Sequence, residues 1–314
     1  MAIQYVDPLS RGFRRMRKAL FNPLDIKKWF VVGFTAFLSG LTDCSGGSGS
    51  GTKSRGDVDW DTVIYFPQRA WEWLAENPVW AMAIAVAAFF FLVFLVLCTW
   101  WSSRGKFMFL DNVVHDKAQV IAPWHEFRTE GNSLFVWSLS VGVVFMAVLV
   151  WYIVECFVTI QGLYEVADNI RMLIGPVLMM ALGFFCIMII GGFVDMVLYD
   201  FVVPVMYRDR VTTVKAMQKF FPLLTSQFFY FIGYGLFSLA IIIAVVIGIV
   251  VAGLLTCCIG FLLLAIPYIS AVVLLPVSYT MRAFSVEFLE QFGPEFHIFP
   301  KPVSTPPTTE TTVA

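Results

Sequence analysis

The 314-residue chain is 59% hydrophobic and only 14% charged, with a formal net charge of −1. Soluble domains are about one quarter charged, so this composition excludes an ordinary water-soluble globule. The near-zero balance also excludes a nucleic-acid partner, which demands a basic surface. What remains is one all-α, polytopic membrane domain.

Residues 1–28 carry Arg11, Arg14, Arg15, Arg17, Lys18, Lys27 and Lys28, and residues 1–22 form a basic amphipathic cytoplasmic segment. Phe13, Met16, Leu20 and Phe21 recur there at helical spacing. Such a segment can lie on an anionic leaflet, or be a solvated positive flank that orients the next span. Asn22-Pro23-Leu24-Asp25 then reads as a helix start, because Asn caps well and proline lacks only an N–H that has no partner at the first helical position. A helix over 23–42 would reach about 29 Å, enough to cross if Lys27 and Lys28 snorkel back to the headgroups. A signal peptide is the other reading, against which the basic region is too long.

Residues 44–56 are a Gly/Ser linker. Trp60, Tyr65, Phe66, Trp71 and Trp73 follow among acidic residues. Amphipathic aromatics settle at the membrane–water interface, so a short surface helix is expected; a carbohydrate- or lipid-binding aromatic patch is the alternative. Spans are expected at 79–101, where Ala81, Ala85 and Ala88 make a small face, and at 133–154. Between them Phe107, Leu110, Val114, Ala118 and Ile121 form one helical stripe, an amphipathic interface helix ending before Pro123. A span over 172–194 stays helical to near Pro204. Arg208, Arg210, Lys215 and Lys219 then make a basic loop, with Val214, Met217 and Phe221 as its apolar stripe.

Residues 220–281 run 62 positions without Asp, Glu, Lys, Arg or His. A span needs about 20 residues, so two fit, at 227–251 and 258–281. Ala240, Ala244, Gly248 and Ala252 fall at four-residue spacing, a small stripe for close helix packing. Pro267 and Pro276 should bend the last span. Residues 284–292 suit a third amphipathic segment, and 296–314 a disordered tail.

With six spans and both termini inside, seventeen basic residues fall on the inner side and four on the outer, as the positive-inside rule asks. That count is the main reason to let 23–42 cross. The stretch 79–154 also parallels 172–251 in layout, a repeat of the kind that builds transporters.

Ionisable groups deep in the bilayer mark function because they are costly there. Asp195, Tyr199 and Asp200 are the candidate polar site: Asp195 and Tyr199 share a helix face, whereas Asp200 points elsewhere. Asp111 and His115 stand four residues apart with His125-Glu126 beyond, but no metal-ligand spacing is matched, and neither metal nor cofactor is expected. No nucleophile elbow or HExxH motif occurs. Cys44 can pair with Cys257 or Cys258 if that side is oxidising.

Asp200-Phe201-Val202-Val203-Pro204-Val205-Met206-Tyr207 and the ending from Arg282 to Pro294, with Asn22-Pro23 and the linker, resemble a group of uncharacterised bacterial multi-span membrane proteins. The layout is more distantly similar to the membrane domain attached to some glycerophosphoryl diester phosphodiesterases. The resemblance implies a bacterial inner-membrane location, and the phosphodiesterase catalytic domain is absent. The expectation is a non-enzymatic protein that organises membrane lipids or protein partners, with homo-oligomers possible. A small transporter or channel for an apolar or amphipathic solute is the alternative, and a lipid-modifying enzyme the third reading.

Overall fold

The computed structural model describes residues 3–42, 65–166, 174–256 and 259–300. Every regular element among them is helical. The order is α1 (Val6–Phe21), α2 (Ile26–Ser39), α3 (Phe66–Glu76), α4 (Pro78–His115), α5 (Ile121–Glu126), α6 (Arg128–Val166) and α7 (Ile174–Val197). A π-turn (Leu198–Val202) leads into α8 (Val203–Asp209), then α9 (Thr213–Ser226), α10 (Phe228–Leu255), α11 (Ile259–Leu264), α12 (Pro267–Val273) and α13 (Leu275–Leu289).

Four helices are long and apolar enough to cross a membrane, within α4, α6, the α7–α8 unit and α10, and a fifth crossing is available if the bent pair α12–α13 counts as one. The predicted multi-span all-α architecture is therefore observed, but six spanning helices are not. The shortfall lies at 23–42. Asn22-Pro23 stays in the link, and α2 begins only at Ile26, capped by the Asp25 carboxylate accepting from Lys27 N at 2.9 Å. Its 14 residues make a helix of about 21 Å, short of the roughly 30 Å hydrocarbon core.

Nor does α2 run beside the apolar half of α4. It runs antiparallel to the polar half: Lys28 pairs with Asp116, Asn112 donates to Thr35 Oγ1, and Ser102 Oγ donates to Ser39 O. Gly105 permits this contact, since a Cβ there would lie 2.7 Å from Leu38 and Ser39 backbone atoms.

The chain thus has two zones. In an apolar belt, the best span windows of α4, α6, α7 and α10 are only 0–11% buried. Below it sits a packed base. Ser102 through Val114 of α4 are all buried, as are Arg282 through Leu289 of α13. Of the expected interface helices at 107–121 and 284–292, residues 107–114 and 284–289 instead continue α4 and α13 and are buried in the base, while the first expected helix breaks at Asp116. In α9 the predicted stripe is also turned over. Thr213, Ala216 and Phe220 face inward, while Val214 and Phe221 are exposed. Phe201 is the centre of the base, with ring centroids 5.5 Å from Phe220, 4.9 Å from Phe231 and 4.9 Å from Tyr234.

Pro204 does not stop its helix. The π-turn loosens the ladder just before it, with Val203 N bonding Leu198 O, so the missing proline N–H is absorbed without a break. Pro267 and Pro276 do interrupt the last crossing: Ile266 is extended, and α12 and α13 meet at 64°. The two halves share a plan. In each half the first long helical unit, α4 or α7–α8, ends on a left-handed residue, Asp116 (φ 55°) or Arg210 (φ 54°). A short proline-bearing helix follows, and one residue, Phe127 or Gln227, precedes the next long helix. The halves meet where Thr213 N donates to Ser133 Oγ at 3.0 Å.

Candidate functional site

The three polar residues singled out in the sequence separate. Asp195 is exposed on α7. Tyr199 and Asp200 lie in the π-turn, which rolls both toward the base. Tyr234 OH donates to Asp200 Oδ2 at 3.1 Å. Arg282, only 1% exposed, donates through Nη1 to Tyr199 O at 2.7 Å and lays its guanidinium 4.4 Å from the Tyr199 ring centroid. Lys106 Nζ stands 5.0 Å from the same ring. Two buried cations therefore contact one aromatic ring, an attraction that strengthens with desolvation. Sequence reading missed Lys106 and Arg282. They looked like loop charges because they flank hydrophobic runs.

The small stripe Ala240, Ala244, Gly248 and Ala252 faces outward, and a Cβ on Gly248 would meet nothing within 4 Å. The face of α10 that packs in this chain carries Phe231, Tyr234 and Ser238 instead. The physical reason is position: the stripe lies in the belt, and the inward residues lie in the base. Cys44, Cys257 and Cys258 fall outside the described residues, so no pairing can be placed.

Asp111, His115 and Tyr207 form a hydrogen-bonded triangle at the rim of the base. Tyr207 OH donates to Asp111 Oδ1 at 2.7 Å, and His115 Nδ1 lies 3.0 Å from the same oxygen. A cavity of about 280 Å³ opens beside them, lined also by Arg208 and Arg210. Arg210 is committed, pairing with Glu126 and stacking on Phe127. No His, Cys, Asp or Glu cluster among the described residues could hold a metal ion. The basic and acidic groups here offset each other, so the cleft has no clear preference for either charge.

The N-terminal helix makes the most distinctive surface. Gly12 brings α1 onto α13 so closely that a Cβ would sit 3.1 Å from Phe284 N and Thr280 O. Glu287, 2% exposed, accepts from Arg15 Nε at 2.7 Å and Arg11 Nη1 at 3.4 Å. Gln4 and Gln291 exchange reciprocal bonds, each 2.9 Å. Tyr5 stacks on Phe288, and its hydroxyl donates to Tyr230 O at 3.3 Å. Burial, with the neighbouring Tyr230 second, raises the Tyr5 pKa above the ordinary phenol value. Beside this docked helix runs an apolar groove of about 480 Å³ between α1, α10 and α13. Leu9 and Phe13 line one wall, Ile241 and Val245 another, and Val277 and Met281 the third.

A family model described as a family of unknown function (DUF7544) matches residues 3–289. The chain belongs to this family. The matched region takes in α1, the belt, the π-turn and α13, so the docked N-terminal helix is part of the family's domain. The match assigns no activity and gives no support to the likeness with the phosphodiesterase-linked membrane domain. No curated protein and no solved structure matches the chain.

Proposed function

We propose that this chain is a non-enzymatic integral membrane protein that organises lipid or a protein partner at a bacterial inner membrane, with both termini cytoplasmic. One observation carries the reading. The span windows are almost unburied, 0–11%, above a tightly packed base. Helices that bury so little against each other leave their apolar surface to something else, either lipid or another membrane chain. The base then serves as a rigid foot that holds separated spans. The groove beside α1 is the part of this surface with a definite shape.

A transporter or channel for an apolar solute is the second reading, favoured by the matching plan of the halves and their left-handed ends at Asp116 and Arg210. A polar path between spans is what it requires, and the exposed position of Asp195 does not provide one. A lipid-modifying enzyme would need a reactive group beside a lipid surface.

Native mass spectrometry of the detergent-purified chain tests the proposal. Retained phospholipid, a partner chain or extra copies are the expected result. A bare monomer that nonetheless carries solute flux in liposomes would replace this reading with the transporter.

A further inference from the structure

We propose that the groove between α1, α10 and α13 binds one acyl chain of an anionic phospholipid, with the phosphate held by Arg14 and Arg17. The inference rests on the lipid form of the proposed function and gives it a site. The groove, about 480 Å³, lies within the roughly 300–1,000 Å³ typical of small-ligand sites. Its walls are aliphatic and aromatic apart from Ser10 and Thr280, and the Thr280 hydroxyl is already donating to Pro276 O at 2.7 Å. Little in it rewards a polar ligand. Ile241 and Val245 belong to the exposed apolar run of α10, so the groove opens into the bilayer, from which an acyl chain enters sideways.

The headgroup end is set by helix geometry. Ser10, Phe13, Arg14 and Arg17 stand at i, i+3, i+4 and i+7, along one side of α1. Ser10 and Phe13 line the groove, and helix periodicity sets the two arginines next along that side of α1, where the proposal puts the headgroup. The cations of α1 are divided. Arg11 and Arg15 are spent on Glu287, which fastens the helix. Arg14 and Arg17 are exposed and make no ion pair among the described residues. An unpaired basic edge beside an apolar slot complements a phosphate carried on an acyl chain. A water-soluble peptide offers no such match, because it would have to reach a slot that faces lipid.

The test uses the full chain in detergent with equal doses of phosphatidylglycerol and phosphatidylcholine, read by native mass spectrometry. The wild type should retain phosphatidylglycerol in preference. Arg14→Gln with Arg17→Gln should cut that preference roughly tenfold, while Val277→Trp should fill the slot and lose both lipids. Because a groove-filling variant can unfold, a second measurement uses the wild type alone. A phosphatidylglycerol with a diazirine on its acyl chain should crosslink to peptides covering 6–16, 241–245 and 276–281. Crosslinks spread along α4, α6 and α7 with none in those peptides overturn the site while leaving lipid organisation standing. So does unchanged retention in a folded Val277→Trp chain. A wild type that holds a protein partner and no lipid overturns the site and narrows the proposed function to that partner.

Discussion

A buried carboxylate gripped by two half-exposed guanidinium groups is an unequal partnership. Glu287 is 2% exposed in its side chain, whereas Arg11 and Arg15 are 48% and 41% exposed. Removing both arginines strands a charge out of reach of water, at a cost of about 3–5 kcal/mol. Removing the charge with Glu287→Gln lets the arginines rehydrate and should cost only about 1 kcal/mol. Arg11→Ala/Arg15→Ala is therefore expected to lower the thermal midpoint in detergent well beyond Glu287→Gln; the reverse order would mean that the carboxylate is not the buried member. None of this was legible in the sequence. Residues 284–292 read as a surface amphipathic turn, since Glu287 and Glu290 among Phe and Val carry no sign of the N-terminal helix, more than 270 positions from Glu287, that covers Glu287. Arg282 and Lys106 were hidden for the same reason. A charge next to a hydrophobic run is ordinarily a solvated flank, and only tertiary packing turns it inward.

At the scale of elements, helical periodicity identified helices well and their neighbours poorly. The expected spans at 79–101 and 133–154 fall within long helices, as do residues 174–194 and 228–251 of the other two, because 20-residue apolar runs favour the helix in lipid. Where each helix leaves the belt was not visible, since Arg104 and Lys106 looked like the start of a loop. The stripe of Ala240, Ala244, Gly248 and Ala252 illustrates the limit. Small residues at four-residue spacing permit close packing but do not say on what, and here the stripe faces away from the chain. The close approaches are made by glycines that stood in no stripe, Gly12 and Gly105. Gly105→Ala should therefore drive a methyl group into the α2 backbone and cost about 1–3 kcal/mol. Gly248→Leu should leave the thermal midpoint of the monomer unchanged, because the new side chain enters open space. Thermal melts of both variants at one scan rate decide the matter. A destabilised Gly248→Leu monomer would place the stripe in a contact within the chain.

Taken whole, the molecule separates its chemistry along one axis. Of the basic residues in the described helices, Arg69 on α3 stands at the far end of α4, and the others gather at the base or on α1 and α2 beside it. Gln4 and Gln291 bond to each other, so both ends of the described chain lie at that base. The proposed orientation, with the base in the cytoplasm, agrees with the positive-inside rule through the distribution of Lys and Arg rather than net charge. This does not depend on a crossing at 23–42, because α2 lies at the base, where its Lys28 pairs with Asp116. The orientation is open to direct measurement in a variant lacking the native cysteines. Lys18→Cys and Glu295→Cys, exposed at the base, should react with a membrane-impermeant maleimide only after the cells are permeabilised. Glu72→Cys, exposed on α3, should react in intact cells. Labelling of Lys18→Cys from outside would invert the molecule, and with it the leaflet from which Arg14 and Arg17 could draw an anionic lipid.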